Sequence, residues 1–261
     1  QAVYNSGTTA HHLTAVGAFA LTNCNGYAEY CTAVGSRALQ ANTSGDNNSA
    51  VGDRALTANT TGQSNNAFGM TALDANTTGS QNDAFGVSAL GSVTTGSDNC
   101  AFGYYAGATL NSSGNTLMGY AAGQAISTGG SNTFMGHQAG DAVTTGEQNV
   151  IIGKSTGGAV TTGSYNVLMG VNTGDAITTG GTNTALGHGC LSALTDGNGL
   201  VAIGYGALAA NTSGERNTAL GEGAAQNITT AGLNTVVGYN AGGSTLTGTN
   251  NIIIGSGANL S

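Results

Sequence analysis

Fifteen copies of a 17-residue unit, with glycine at the same point in each, mark the 261-residue chain as all-β: a β-solenoid (β-roll) of about fifteen coils. An apolar residue followed by glycine recurs at Gly17, Gly35, Gly52, Gly69, Gly86, Gly103, Gly119, Gly136, Gly153, Gly170, Gly187, Gly204, Gly221, Gly238 and Gly255. The spacing is 18 once, 16 once and 17 otherwise. Helical repeats need about 33 residues or more, so a pair of packed helices does not fit. One coil per unit does, with equivalent residues stacked in columns about 4.7–4.8 Å apart. Residues 1–12 read as a lead-in and 13–261 as the solenoid.

The columns follow in order along the unit. Four residues before the anchor glycine stands Asn in twelve coils, from Asn48 to Asn251. Such a column predicts a structural ladder, each amide bonding turn backbone and its counterparts above and below. The residue directly before the anchor is large and apolar in all fifteen coils, from Val16 through Phe85 to Ile254, which assigns it to the coil's own core. The residue three after the anchor is Ala in twelve coils and Thr156, Thr173 or Cys190 in the others, as a tight inner corner requires. A second segment carries Thr-Thr-Gly, as in Thr60-Thr61-Gly62 and Thr178-Thr179-Gly180. Alternation sends its first Thr outward and its second inward.

Two residues before the anchor the chain is apolar again, Ala in nine coils and larger in six. Neighbours on a strand face opposite sides, so this column is expected to face outward. An uncovered apolar column of that length exceeds what soluble monomers carry, and identical chains around a symmetry axis would cover it. Ala84, Ala101, Leu117, Phe134, Ile151 and Leu168 are therefore the expected oligomer interface, in a parallel homotrimer. The alternative is a flattened coil whose core includes both columns.

Composition narrows function. Four basic residues against twelve acidic ones, a net charge of −8, exclude the positive footprint of nucleic-acid binding. No run of eighteen apolar residues exists, so no membrane insertion is expected, and Gln1 to Leu13 do not read as a signal peptide. The segment Gly153-Lys154-Ser155 invites comparison with a phosphate-binding loop. Gln148 stands where that motif needs glycine, however, and Gly153 is simply an anchor. His11, His12, His137 and His188 lack metal-ligand spacing, no Cys-x-x-Cys occurs, and the acidic residues are scattered. Neither an enzyme nor a cofactor is expected. Cys24 and Cys31 lie in the one 18-residue interval and could close a disulfide, whereas Cys100 and Cys190 occupy columns of small residues and read as buried free thiols. Asn-x-Ser/Thr triplets such as those at Asn42, Asn59, Asn76 and Asn211 fall on an inward column and read as by-products of the repeat.

The position after the anchor varies most, as a solvent-facing turn would. It reads Tyr104, Tyr120, His137 and Lys154 in four successive coils, then His188 and Tyr205 further on. Stacked rings of this kind either stabilise the ladder or hold sugar rings. Tyr104, Tyr120, His137 and Lys154 are the candidate glycan contacts.

The units Asn65-Asn66-Ala67-Phe68-Gly69-Met70-Thr71-Ala72-Leu73 and Asn217-Thr218-Ala219-Leu220-Gly221-Glu222-Gly223-Ala224, joined by Asn-Thr-Thr-Gly segments, resemble the repeats of trimeric fibrous adhesins. They are similar to the heads of trimeric autotransporter adhesins and, more closely in period, to repeats of phage tail fibres. The resemblance implies a trimer of β-rolls and a role in attachment. The chain departs from the family in having neither a coiled-coil stalk nor a membrane anchor. The expected function is a structural and adhesive fibre segment outside a cell or on a virion, attaching to surface glycans. A filament of end-to-end stacked subunits and an ice-binding protein are the alternatives.

Overall fold

The computed structural model describes residues 12–24, 28–244 and 247–259. The lead-in therefore lies outside the described residues, except for His12. The described residues hold fifteen strands of three residues and no helix, and within each of two compact units every strand runs parallel to its sequence neighbours. The units are residues 1–131 and 132–261. The first contains β1 (Thr14–Val16) to β7 (Thr116–Met118) and the second β8 (Thr133–Met135) to β15 (Ile252–Ile254). Within each unit the register is column upon column: Val51 pairs with Phe68 and Phe85 with Phe102 in the first, Ile152 with Met169 in the second. A β-solenoid is thus the fold.

Three left-handed corners bend each coil. The residue five before the anchor and the residue two after it have positive φ in all fifteen coils, and the residue four after it in fourteen. Most carry side chains, among them Arg54 (φ 59°), Leu56 (φ 52°) and Asn47 (φ 57°). Such residues cost roughly 1–3 kcal/mol each where isolated. Here the corners turn peptide N–H groups along the coil axis into hydrogen bonds with an adjacent coil, the preceding one at the first two corners and the following one at the third. Arg54 donates to the Ser36 carbonyl (2.8 Å), Leu56 to Ala72 (3.0 Å) and Asn47 to Glu29 (2.9 Å). The anchor glycine is obligatory on steric grounds, because a Cβ at Gly69 would lie 2.4 Å from the Gly86 carbonyl oxygen.

The interior corrects the assignment of the two apolar columns. The residue two before the anchor is buried in every coil from Ala33 to Ile253. Ala84, Ala101, Leu117, Phe134, Ile151 and Leu168, expected between chains, are all fully buried within their own coils. The residue directly before the anchor is buried in none. The physical reason is the narrow bore of a 17-residue coil. In seven coils an alanine two before the anchor is matched by leucine four after it, as in Ala50 with Leu56 and Ala185 with Leu191; Ala101 with Gly107 and Ala219 with Ala225 depart from this. A large residue there is matched by glycine: Leu117 with Gly123, Phe134 with Gly140, Ile151 with Gly157, Leu168 with Gly174. A Cβ on Gly140 would lie 2.7 Å from the Phe134 ring. Between these two positions most coils place one bulky side chain, beside the buried residue seven after the anchor, and the uniformly large column directly before the anchor faces outward.

The asparagine column forms the expected ladder. In the first unit Asn65 donates its backbone N–H and its Nδ2 to Asn48 Oδ1 and also bonds the Gly79 carbonyl. Asn82 repeats the pattern on Asn65. In the second unit Asn149 and Asn166 do the same. A shorter second ladder, Asn42–Asn59–Asn76, lies in the column seven after the anchor, which from Val93 to Ile228 holds Val, Leu or Ile except at Asn211. The Thr-Thr segments differ from the alternation reading. Thr60 and Thr161, the first of their pairs, donate Oγ1 to the Thr77 and Thr178 carbonyls of the next coil, while the second residues, Thr61 and Thr162, are exposed. The chain bends there, with its inward positions taken by the residue before the pair and by the glycine after it.

Candidate functional site

Among the described residues no group of three His, Cys, Asp or Glu could hold a metal ion. What the fold displays is surface. Each unit carries an outward row formed by the residues directly before the anchors. In the first unit it includes Val16, Phe68, Phe102 and Met118, and in the second Met135, Leu186, Leu220 and Ile254, all exposed. Phe68, Phe85 and Phe102 stack face to face at 4.9 and 5.4 Å between centroids. Stacking leaves the outer edges of the rings uncovered, so Phe102 remains 56% exposed. This row was missed in the sequence. The signal for it was present: its residues are uniformly large, with no compensating column elsewhere in the coil.

Beside that row runs the column after the anchor. Tyr104 and Tyr120 belong to the first unit and stack at 5.6 Å, nearly coplanar in orientation (3°). Tyr105 packs edge-on against Tyr104 at 4.2 Å, and a hydrogen bond between the two side chains raises the Tyr104 pKa. These two candidate glycan contacts thus act as an aromatic ladder whose flank Tyr105 fills. His137 and Lys154 belong to the second unit and are exposed. Further along that unit His188 and Tyr205 stack at 5.4 Å and 12°.

The expected disulfide is not formed: Cys24 and Cys31 are both buried free thiols. Cys31 stands in the asparagine column and works there as a substitute. Its Sγ donates to the Gly45 carbonyl (3.2 Å), the bond that Asn48 makes to Gly62 (2.8 Å). Burial pushes the Cys31 thiol up to about 11, so it is protonated at neutral pH and inert. Cys190 is a buried free thiol, bonded to the Gly204 carbonyl as Thr156 is to Gly170 and Thr173 to Gly187. Cys100 is also free but only half-buried, on the outward side of its strand. Among the triplet asparagines, Asn42, Asn59, Asn76 and Asn211 are fully buried.

Comparison with protein-family models, curated proteins and solved structures finds no match to the chain.

Proposed function

We propose that the chain is a structural and adhesive segment of a fibre, built from parallel copies of itself and displayed outside a cell or on a virion. The observation that carries this reading is the exposed apolar row in each unit. A series of Phe, Met, Leu and Ile side chains held in register by a parallel sheet is a larger continuous apolar surface than a lone soluble chain normally presents. A second copy offers an identical row at the same 17-residue rhythm, so contacts between copies repeat coil by coil. The resemblance of the repeats to trimeric fibrous adhesins favours three chains. The role of the solenoid is mechanical. Within each unit, ladders of buried amides and carbonyls couple successive coils, and four Lys and Arg residues in the whole chain leave few sites for trypsin. Ice binding is less well supported, because it calls for two free rows of threonine and the first Thr of each pair spends its hydroxyl on the next coil.

Light scattering on the intact protein tests the assembly. The expected mass is three times the 25.3 kDa of one chain. Phe102→Asp and Leu186→Asp, each placing a charge on the outward row, should retain β-structure and lower that mass. A monomer at micromolar concentration would overturn the reading.

A further inference from the structure

We infer that the hollow beside His188 and Tyr205 is a subsite for one neutral pyranose ring of a saccharide; the inference rests on the attachment reading and deepens it. The hollow has a volume of about 270 Å³ and is lined by His188, Gly189, Ser192, Tyr205, Gly206, Ala209 and Gln226. Its existence depends on Gly189 and Gly206. Both stand two after their anchors, where other coils carry Arg37, Arg54, Tyr105 or Gln138 at the same left-handed φ. A Cβ on either glycine would meet nothing within 4 Å. Crowding does not require glycine at these positions, and although the left-handed φ favours it, side chains are accepted at the same φ in other coils. Its effect is to leave open a space that side chains occupy elsewhere. In the Tyr104 coil the same position holds Tyr105, packed against the ring.

The lining defines the ligand. His188 and Tyr205 offer aromatic surface on one side, and Tyr205 is 63% exposed. A ring presenting C–H groups on one face and hydroxyls at its rim suits such a surface. Ser192, whose Oγ donates to the Ala209 carbonyl at 3.4 Å, keeps acceptor capacity, and the Gln226 amide, also in the lining, can donate and accept. No Asp, Glu, Lys or Arg lines it, which favours an uncharged sugar over a sialic or uronic acid. The volume lies just below the usual range of ligand pockets, about 300–1,000 Å³, so one ring is the unit recognised.

The test is calorimetric titration of the intact protein with malto-, cello-, manno- and galacto-oligosaccharides of two to four units, alongside sialylated and uronic-acid oligosaccharides. At least one neutral series should bind. Gly206→Gln, which restores the side chain that Gln138 shows the coil accepts, should weaken it at least about tenfold, and Tyr205→Ala likewise. Tyr239→Ala, in the same column outside the hollow, should bind as the wild type. No binding of any neutral series, binding of acidic sugars alone, or undiminished binding by Gly206→Gln would overturn the subsite. Light scattering on the same samples reads assembly separately, so a fully assembled protein that ignores neutral sugars contradicts the subsite and leaves the fibre reading standing.

Discussion

At Asn211 the repeat carries a local defect. The column seven after the anchor is a ladder of asparagines near the start of the chain, where Asn59 donates to Asn42 and Asn76 to Asn59. Asn211 has Leu194 before it in the column and Ile228 after it, and both its Oδ1 and its Nδ2 are buried without a partner. An unmade hydrogen bond in a dry interior costs roughly 1–3 kcal/mol. Asn211→Val should therefore raise unfolding stability by about 1–3 kcal/mol in a urea titration. Asn59→Val, which would break a ladder at its middle, should lower it. Two acidic residues add a dependence on pH. Burial raises the carboxyl pKa of Asp74, with Arg54 opposing, and of Asp141, with His137 opposing. The folded chain therefore holds these protons more tightly than the unfolded one. The stability this confers is present below the unfolded pKa and is lost as pH rises through the folded value. Asp74→Asn and Asp141→Asn should each raise the Tm at neutral pH and change it little in acid.

The coil is the element, and in most coils the positions two before and four after the anchor hold one bulky group between them. Phe134→Ala alone should cost about 3–5 kcal/mol by opening a cavity. Gly140→Leu alone should also destabilise, since the new Cβ would lie 2.7 Å from the Phe134 ring. The double variant converts this coil to the alanine–leucine type of Ala50 with Leu56, and leucine at the corner keeps the left-handed φ seen at Leu56. It should recover most of the loss in a thermal melt, whereas two independent sites would simply add. Much of this element was legible in the sequence. Anchor glycines, the asparagine ladder and the small inner corner each follow from one residue type held at one register. The direction of the strand was not. With apolar residues at both positions before the anchor, alternation says only that they face opposite ways. Size seemed to decide in favour of the larger, yet a bore closed by three tight corners takes alanine with leucine, or phenylalanine with glycine. The pairing of the two columns, visible in Ala67 with Leu73 and Leu168 with Gly174, carried the answer. The second Thr of each pair was misplaced for a related reason: strand alternation does not hold through a bend.

For the molecule as a whole, exchanging the two columns moves the proposed association surface to the row directly before the anchors. The row that faces out is now the bulkier of the two, and the stacked Phe68, Phe85 and Phe102 make it strongest in the first unit. The aromatic candidates were legible only as a column. Nothing in the spelling of Tyr104 and Tyr205 separates a filled flank from an open hollow, because that difference lies in the next residue, Tyr105 against Gly206, and in what a side chain there would touch. The four methionines allow a direct test of the assembly surface. Met118, Met135 and Met169 stand on the outward row, and Met70 stands after its anchor, 51% exposed. Brief hydrogen peroxide treatment of the native protein, read by mass spectrometry of peptides, compares their oxidation within one sample. If copies of the chain cover the row, Met70 oxidises readily while Met118 and Met135 are protected and become reactive only on dissociation. Oxidation of Met118 and Met135 at the rate of Met70 in the native protein would contradict the account.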